Sequence, residues 1–158
     1  MKRAVVDTNV AVVANGRNGN YDPQCRLACI DALEEMKSRG QTVIDRDRLI
    51  LEEYMHNLRE VGQPGVGDAF LKFILTNQNN PRRVKIVNLS ASSFPDDPDL
   101  VAFDLSDRKF ASAARLANAP VLNAVDSDWW HHHRALARNG IEVCFLCGTG
   151  HFRPFDQS

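Results

Sequence analysis

The sequence has no long apolar segment and almost no net charge. Its 158 residues carry 19 Lys and Arg against 20 Asp and Glu, so nucleic-acid binding would need a local basic patch. The apolar run after the basic start is cut at Asp7, too early for a secretory signal, and no later run predicts a membrane span. We expect a cytoplasmic protein outside the membrane, with one domain over 1–158 and a C-terminal tail at 148–158.

Cysteine is scarce, and its spacing is poor for a metal site. The four cysteines form two pairs along the chain, Cys25 with Cys29 and Cys144 with Cys147. Structural zinc sites usually repeat Cys-x-x-Cys or combine it with closely spaced His, whereas the first pair here has three intervening residues in a helical pattern. We therefore expect reduced thiols in the core, with zinc as the less favoured alternative.

The chain alternates short apolar runs with helical patterns. Apolar, β-branched-rich runs at 4–6, 41–45, 84–89, 120–125 and 141–146 predict five strands. A helix is predicted from Asp22-Pro23, which suit the N-cap and first helical position, to Gly40. Strands separated by helices are typical of a parallel sheet with right-handed crossovers. The predicted fold class is α/β.

Two buried strands end at an acid. Asp7 follows the first strand and Asp126 follows the fourth, and open α/β sheets bind ligands at the carboxyl ends of their strands. Two acids meeting there are hard to explain as helix caps, and carboxylates are natural ligands for a hard divalent cation. Asp128, by contrast, is explained equally well as a cap of the next helix.

Two further acidic positions are weaker candidates. Glu53 shares a helix face with Ile50, beside the apolar stripe, while Glu52 is expected to face water. Asp104 and Asp107 precede an Ala-rich helix, where they would serve as the N-cap and the third helical residue. Taken alone, these positions favour capping for the two Asp and solvation for Glu53.

Four basic residues are candidate phosphate contacts. Arg82 and Arg83 lead into the third strand, and Arg108 and Lys109 follow Asp107. A solvated run explains cations beside a strand entry at least as well. The sequence gives no reason to prefer one of the four.

The order and spacing of these acidic motifs resemble those of the PIN-domain nucleases. The segments that carry the resemblance span nearly the whole chain: Val5-Val6-Asp7-Thr8-Asn9, Glu53 with Tyr54 and Leu58, 107–114, and Asp126-Ser127-Asp128. The resemblance implies a three-layer α/β/α fold with helices flanking a central parallel sheet, Mg²⁺ or Mn²⁺ in an acidic pocket, and RNA cleavage. Many members are toxins paired with an antitoxin, so RNA, an antitoxin and a second copy of the chain are the implied partners.

Carried over residue by residue, the resemblance implies four acids that both catalyse and bind metal: Asp7, Glu53, Asp107 and Asp126. It implies Asp128 as a fifth metal ligand. Thr8 and Asn9 would support the site through side-chain hydrogen bonds. Ala124 stands where the family often has Thr or Ser, which removes a hydroxyl that would orient a ligand. The long connection at 77–99 and the tail also differ from compact toxin members.

The sequence shows no Ser/His or Cys/His nucleophile arrangement, which favours a metal-activated water. We therefore expect a Mg²⁺- or Mn²⁺-dependent endoribonuclease, and one cation or two would suit the pattern. The alternative is a catalytically weak or inactive RNA-binding or partner-binding module, because Ala124 would weaken the site. A phosphoacceptor receiver domain ranks lower, since by resemblance it needs paired acids where Asp7-Thr8-Asn9 stands.

Overall fold

A computed structural model describes residues 2–17 and 19–152. Within this part of the chain, five strands form one sheet: β1 Lys2–Val6, β2 Gly40–Asp45, β3 Val84–Val87, β4 Val121–Asn123 and β5 Val143–Phe145. The strand order is β3-β2-β1-β4-β5 and every pair is parallel. The predicted α/β class and its five strands are confirmed.

Helices flank the sheet and make the outer layers. The described helices are α1 Thr8–Asn15, α2 Pro23–Arg39, α3 Leu49–Asn57, α4 Val66–Thr76, α5 Arg108–Ala117, α6 Ser127–His131 and α7 His133–Arg138. The helix α5 packs across β1 to β4, while α2 packs on β1 and β2 together with α1 and α4. Among these helices, none combines the length and apolar character that crossing a bilayer requires.

The helix α2 begins and ends where the sequence predicts. The Asp22 carboxylate accepts the N–H of Gln24 at 3.0 Å, Pro23 is the first helical residue, and Gly40 follows the last turn. This N-cap satisfies one of the backbone donors that a helix start leaves unpaired.

The helix α1 has no counterpart in the sequence prediction. Its three valines favour a strand, but Asp7 caps it by accepting the N–H of Asn9 at 3.1 Å. Gly16, with φ 67°, ends the helix in the left-handed conformation that glycine adopts without steric cost. Asp7 is therefore both the end of β1 and the cap of the following helix.

Asp68 is a fully buried acid that joins three segments. Its carboxylate accepts hydrogen bonds from the side chains of Arg17 and Asn15, near the end of α1, at 2.8 Å and 3.1 Å. It also accepts the N–H groups of Arg59 and Gly65, at 2.8 Å and 3.0 Å, in the connection before α4. Burial alone would raise the pKa of Asp68, but these hydrogen bonds outweigh burial and lower it.

The expected reduced core thiols are found only in part. Cys25 and Cys147 form a disulfide, so the expectation is wrong for that pair. It is also wrong for Cys144, which is exposed, whereas Cys29 is a free and buried thiol. The sequence groups cysteines by proximity along the chain, but the packing of the segment after β5 on α2 decides which ones meet. Disulfides are rare in a reducing cytoplasm, so this pairing is not what the expected cytoplasmic location predicts.

The first part of the C-terminal tail packs on the body. Phe152 is buried, and its ring lies nearly parallel to that of Trp130, with 5.9 Å between the ring centroids. Phe152 thus packs on α6. The rest of the predicted tail, 153–158, lies outside the described residues.

Candidate metal centre

The carboxyl ends of β1 and β4 lie side by side at the point where the chain changes direction across the sheet. From β1 the chain proceeds to β2 and β3 on one side, and it later returns to β4 on the other. Asp7 directly follows β1, Asp126 lies just past β4, and Asp107 immediately precedes α5. One carboxylate oxygen from each lies within 4.8 Å of the other two. We call Asp7, Asp107 and Asp126 the acidic triad.

Asp7 is held by two donors in a buried position. Its Oδ2 accepts the indole N–H of Trp129 at 2.6 Å, and its Oδ1 accepts the N–H of Asn9 at 3.1 Å. Burial raises the pKa of Asp7 to about 6, against these hydrogen bonds and with help from the charges of Asp126 and Glu53. Asp7 is therefore mostly ionised at neutral pH.

Trp129 is a site residue that sequence reasoning missed. It is fully buried, and an indole N–H in the core needs a polar partner, which here is Asp7. The available signal was its position one residue after Asp126-Ser127-Asp128, where the helix that follows the acids turns its first apolar residue inward.

Asp107 is the most perturbed member of the triad. Burial raises its pKa to about 9, with further contributions from the charges of Asp7 and Asp126 and from a hydrogen bond to Asp126. Its Oδ2 is buried and has no hydrogen-bond partner among the described residues. Without a cation, burial and the neighbouring acids thus favour the protonated form of Asp107.

The capping interpretation separates Asp104 from Asp107. Asp104 accepts the N–H of Ser106 at 2.8 Å and caps a 3₁₀ turn at Leu105–Asp107. Asp107 stands at the start of α5 but its side chain makes no capping hydrogen bond. Capping is therefore confirmed for Asp104 and wrong for Asp107.

The triad fits a hard divalent cation. A buried carboxylate oxygen without a donor is costly, and a cation beside three carboxylates would remove that cost. The donor set consists of oxygen atoms alone, which suits Mg²⁺ or Mn²⁺ better than the nitrogen and sulfur ligands that zinc prefers.

Asn9 fixes the turn that carries Asp126. Its side-chain Oδ1 accepts the N–H groups of Ala124 and Val125 at 2.9 Å and 3.2 Å. Its Nδ2 donates to Asn123 Oδ1 at 2.9 Å. This amide thus connects the start of α1 to the end of β4, and Ala124, at the expected hydroxyl position, is fully buried.

Asn123 completes that connection and was not singled out from the sequence. Its Nδ2 donates to the backbone carbonyl of Asp126 at 3.0 Å, and its Oδ1 accepts the N–H of Asp126 at 3.3 Å. Asp126 in turn accepts the N–H of Asp128 at 3.0 Å as the N-cap of α6. The position of Asp126 is therefore set by backbone contacts on both sides.

Glu53 lies outside the triad, because its carboxylate is engaged by other residues. Lys109 Nζ donates to Glu53 Oε1 at 2.8 Å, and the Thr8 hydroxyl donates to Glu53 Oε2. Glu53 is half-buried while Glu52 is exposed, so the predicted register of α3 is confirmed. Lys109 also donates to the carbonyl of Ser106, which makes it part of the site wall rather than a free phosphate contact.

Asp128 is likewise committed to other contacts. Its Oδ2 accepts the N–H of Asp104 at 2.9 Å, and its Oδ1 lies 3.2 Å from His132 Nδ1. The structure does not bring Asp128 into the acidic triad.

The predicted arginine contacts lie in other environments. Arg108 donates to the carbonyls of Phe103 and Val101, and its guanidinium lies 4.6 Å from the centre of the Phe94 ring. Arg82 and Arg83 precede β3, at the amino-terminal edge of the sheet and opposite the triad. The structure therefore does not bring these three arginines together with the acids.

Asp45 shows that an acid at a strand end does not by itself mark the site. It ends β2 and is buried, yet its two oxygens accept the N–H groups of Leu49 and Ile50 at 3.0 Å and 2.9 Å. Asp45 is thus a cap for α3.

Comparison with family models, with curated proteins and with solved structures returned no match. Inference about function therefore rests on the sequence motifs and on the geometry of the acidic triad.

Proposed function

We propose that this protein is a PIN-type endoribonuclease that depends on Mg²⁺ or Mn²⁺. The observation that carries the proposal is the acidic triad, in which the buried Oδ2 of Asp107 has no hydrogen-bond partner among the described residues. A cation bound by these carboxylates would lower the pKa of a water molecule and offset negative charge on a phosphodiester. The choice of RNA as substrate rests on the resemblance of the acidic motifs, and the cytoplasm as location rests on the sequence.

Each residue of the site has a distinct task in this proposal. Asp7, Asp107 and Asp126 would hold the cation, and Asp107 would release its proton to bind it. Trp129 fixes the orientation of Asp7 through its 2.6 Å hydrogen bond. Asn9 and Asn123, which are positioning residues, keep the turn of Asp126 in place.

Because Lys109 forms an ion pair with Glu53, we assign Glu53 a role other than direct cation binding. The ammonium of Lys109 lies 2.8 Å from the Glu53 carboxylate and offsets its negative charge. Glu53 then holds Thr8 and Lys109 in position, and the triad supplies the ligands for a single cation.

A second candidate is a catalytically weak or inactive RNA-binding or partner-binding module on the same fold. The Lys109–Glu53 ion pair favours it, because that pair leaves three carboxylates for metal binding. The resemblance extends the nuclease proposal to a toxin with an antitoxin partner or a homo-oligomer. A small open reading frame beside the gene would support the antitoxin.

The direct test is cleavage of labelled RNA with Mg²⁺, with Mn²⁺ and with a chelator. We expect cleavage only with a cation, and we expect Asp7→Asn to reduce the rate more than about tenfold because it removes a ligand charge while keeping the side-chain shape. Asp31→Asn, at an exposed position of α2, is the matched control and should cleave normally. Binding of RNA without cleavage would favour the second candidate, and normal cleavage by Asp7→Asn would place the active site elsewhere.

The two adjacent glutamates provide a finer test. Glu53→Gln weakens the ion pair to Lys109 and the contact with Thr8, so we expect RNA cleavage to fall several-fold. Glu52→Gln changes an exposed side chain and should leave the rate unchanged. Equal rates for the two variants would show that Glu53 has no part in the site.

A further inference from the structure

The sulfur atoms of three cysteines lie close together in the structure, although one of these cysteines is far from the other two in the sequence. Cys25 and Cys29 are one helical turn apart on α2, so their side chains share a face. Cys147, just past β5, reaches the same face. The three Sγ atoms all lie within 4.8 Å of one another, and Cys29 Sγ is 4.0 Å from Cys147 Sγ. Cys144, the sequence neighbour of Cys147, is exposed and lies outside this thiol cluster.

A cavity gives access to the thiol cluster. It has a volume of about 410 Å³, and Cys25 and Cys147 form part of its wall together with Tyr21, Val125 and His151. Cys29 is fully buried. The cluster thus has two sulfurs at a cavity and a third one within the core.

We propose that Cys25, Cys29 and Cys147, once the Cys25–Cys147 disulfide is reduced, form a binding site for Zn²⁺ with its remaining coordination position open to the cavity. Reduction by a dithiol or phosphine transfers two electrons and two protons to the disulfide and gives two thiols. Binding then replaces the protons of the three thiols with the metal. This site is separate from the acidic triad and independent of the proposed nuclease activity.

The spacing of the sulfurs fits zinc coordination. A Zn–S bond of about 2.3 Å in a tetrahedral site places neighbouring sulfurs roughly 3.8 Å apart, close to the 4.0 Å between Cys29 and Cys147. Cleavage of the disulfide frees Cys25 and Cys147 to adopt the same spacing by side-chain rotation. Burial raises the pKa of Cys29 to about 12, so without metal this residue stays a thiol and metal binding releases its proton.

Ligand chemistry separates the two candidate metal sites. Thiolates select soft or borderline ions such as Zn²⁺, whereas the carboxylates of the triad suit Mg²⁺ and Mn²⁺. The third ligand, Cys147, comes from the far end of the chain. This long separation explains why the local spacing of Cys25 and Cys29 argued against zinc.

The test uses Co²⁺ as a spectroscopic probe for the reduced full-length chain. Thiol titration first establishes that all four cysteines are reduced, and Co²⁺ is then added without oxygen, followed by Zn²⁺. We expect thiolate-to-cobalt charge-transfer absorbance with tetrahedral cobalt bands, insensitive to excess Mg²⁺ and removed by Zn²⁺. The oxidised protein should show none of these bands.

Cysteine variants identify the ligands. Cys29→Ser should weaken Co²⁺ binding at least about tenfold and reduce the charge-transfer intensity. Cys25→Ser removes a different proposed ligand and should have the same two effects. Cys144→Ser, at an exposed cysteine outside the cluster, should match the parent. Absence of the charge-transfer bands in the reduced parent would overturn the proposal, as would unchanged binding by folded Cys25→Ser and Cys29→Ser proteins.

Discussion

Asp107→Asn is expected to raise the unfolding temperature of the metal-free protein and to remove its stabilisation by Mn²⁺. In the parent, a buried acid faces Asp7 and Asp126, which raises its pKa to about 9. Each unit of pKa shift corresponds to about 1.4 kcal/mol, and solvent at the pocket screens part of it, so we expect a gain on the order of 2 kcal/mol. For a protein of this size that gain is about 4–8 °C in Tm.

Mn²⁺ should stabilise the parent and have little effect on Asp107→Asn. A cation that binds only the folded parent stabilises it by about 2.7 kcal/mol at a hundredfold excess over Kd. Asp107→Asn loses one ligand charge and should show little of this increase. The measurement is a thermal melt of both proteins at neutral pH, with and without Mn²⁺, and Asp31→Asn is the control that should follow the parent.

The pH dependence of these melts follows from the raised pKa values. Protonation of Asp107 favours the folded state, so its contribution is complete below the unfolded pKa near 3.8 and is lost as the pH rises through about 9. The stability of the metal-free parent relative to that of Asp107→Asn should therefore decrease over this range. Mn²⁺ competes with protons, so its effect should fade towards acidic pH. A parent that neither binds nor is stabilised by Mn²⁺ would contradict the assignment of the triad as a metal site.

Of the substitutions described, Asp68→Asn is expected to cause the largest loss of stability. Asp68 is fully buried and accepts hydrogen bonds from Arg17, Asn15 and two backbone N–H groups. The amide would leave Arg17 without its charged partner and would set a new N–H₂ group against existing donors. Breaking a fully buried ion pair costs about 3–5 kcal/mol, and the Arg17 side chain is 30% exposed, so we expect a loss of about 3 kcal/mol and a fall in Tm of roughly 6–12 °C.

The pH dependence of the Asp68 effect has the opposite sign to that of Asp107. The folded-state pKa of Asp68 is lowered, so its stabilisation is present above the unfolded pKa and is lost as the pH falls through the folded value. The difference between parent and Asp68→Asn, measured by denaturant unfolding, should therefore shrink in acid. A difference of less than about 0.5 kcal/mol at neutral pH would show that Arg17 and the backbone donors find other partners.

The sheet and α2 were predictable because their signals are local. Buried parallel strands consist of short apolar runs, and α2 has Asp22, Pro23 and Gly40 at its ends. The helix α1 was not predictable in this way, since its valines favour a strand and its cap, Asp7, was assigned to the metal site.

The triad shows where sequence reasoning about a site succeeds and where it ends. Asp7, Asp126 and Asp45 each follow a buried strand and cap the next helix. Only the convergence of Asp7 and Asp126 with Asp107, which depends on the tertiary fold, separates them from Asp45. Pairings such as Lys109 with Glu53 depend on side-chain packing between distant segments, so neither the Trp129 contact nor the engagement of Arg108 could be read from local patterns.

The order of the triad along the chain sets when the pocket exists during synthesis. Asp7 leaves the ribosome early, but Asp126 follows β4, which pairs with β1 only after most of the chain has emerged. A nascent chain that ends before β4 has neither the third carboxylate nor Trp129, the indole partner of Asp7. The pocket is therefore assembled late in translation, and an incomplete chain cannot present the full acidic triad to a cation or to nearby RNA.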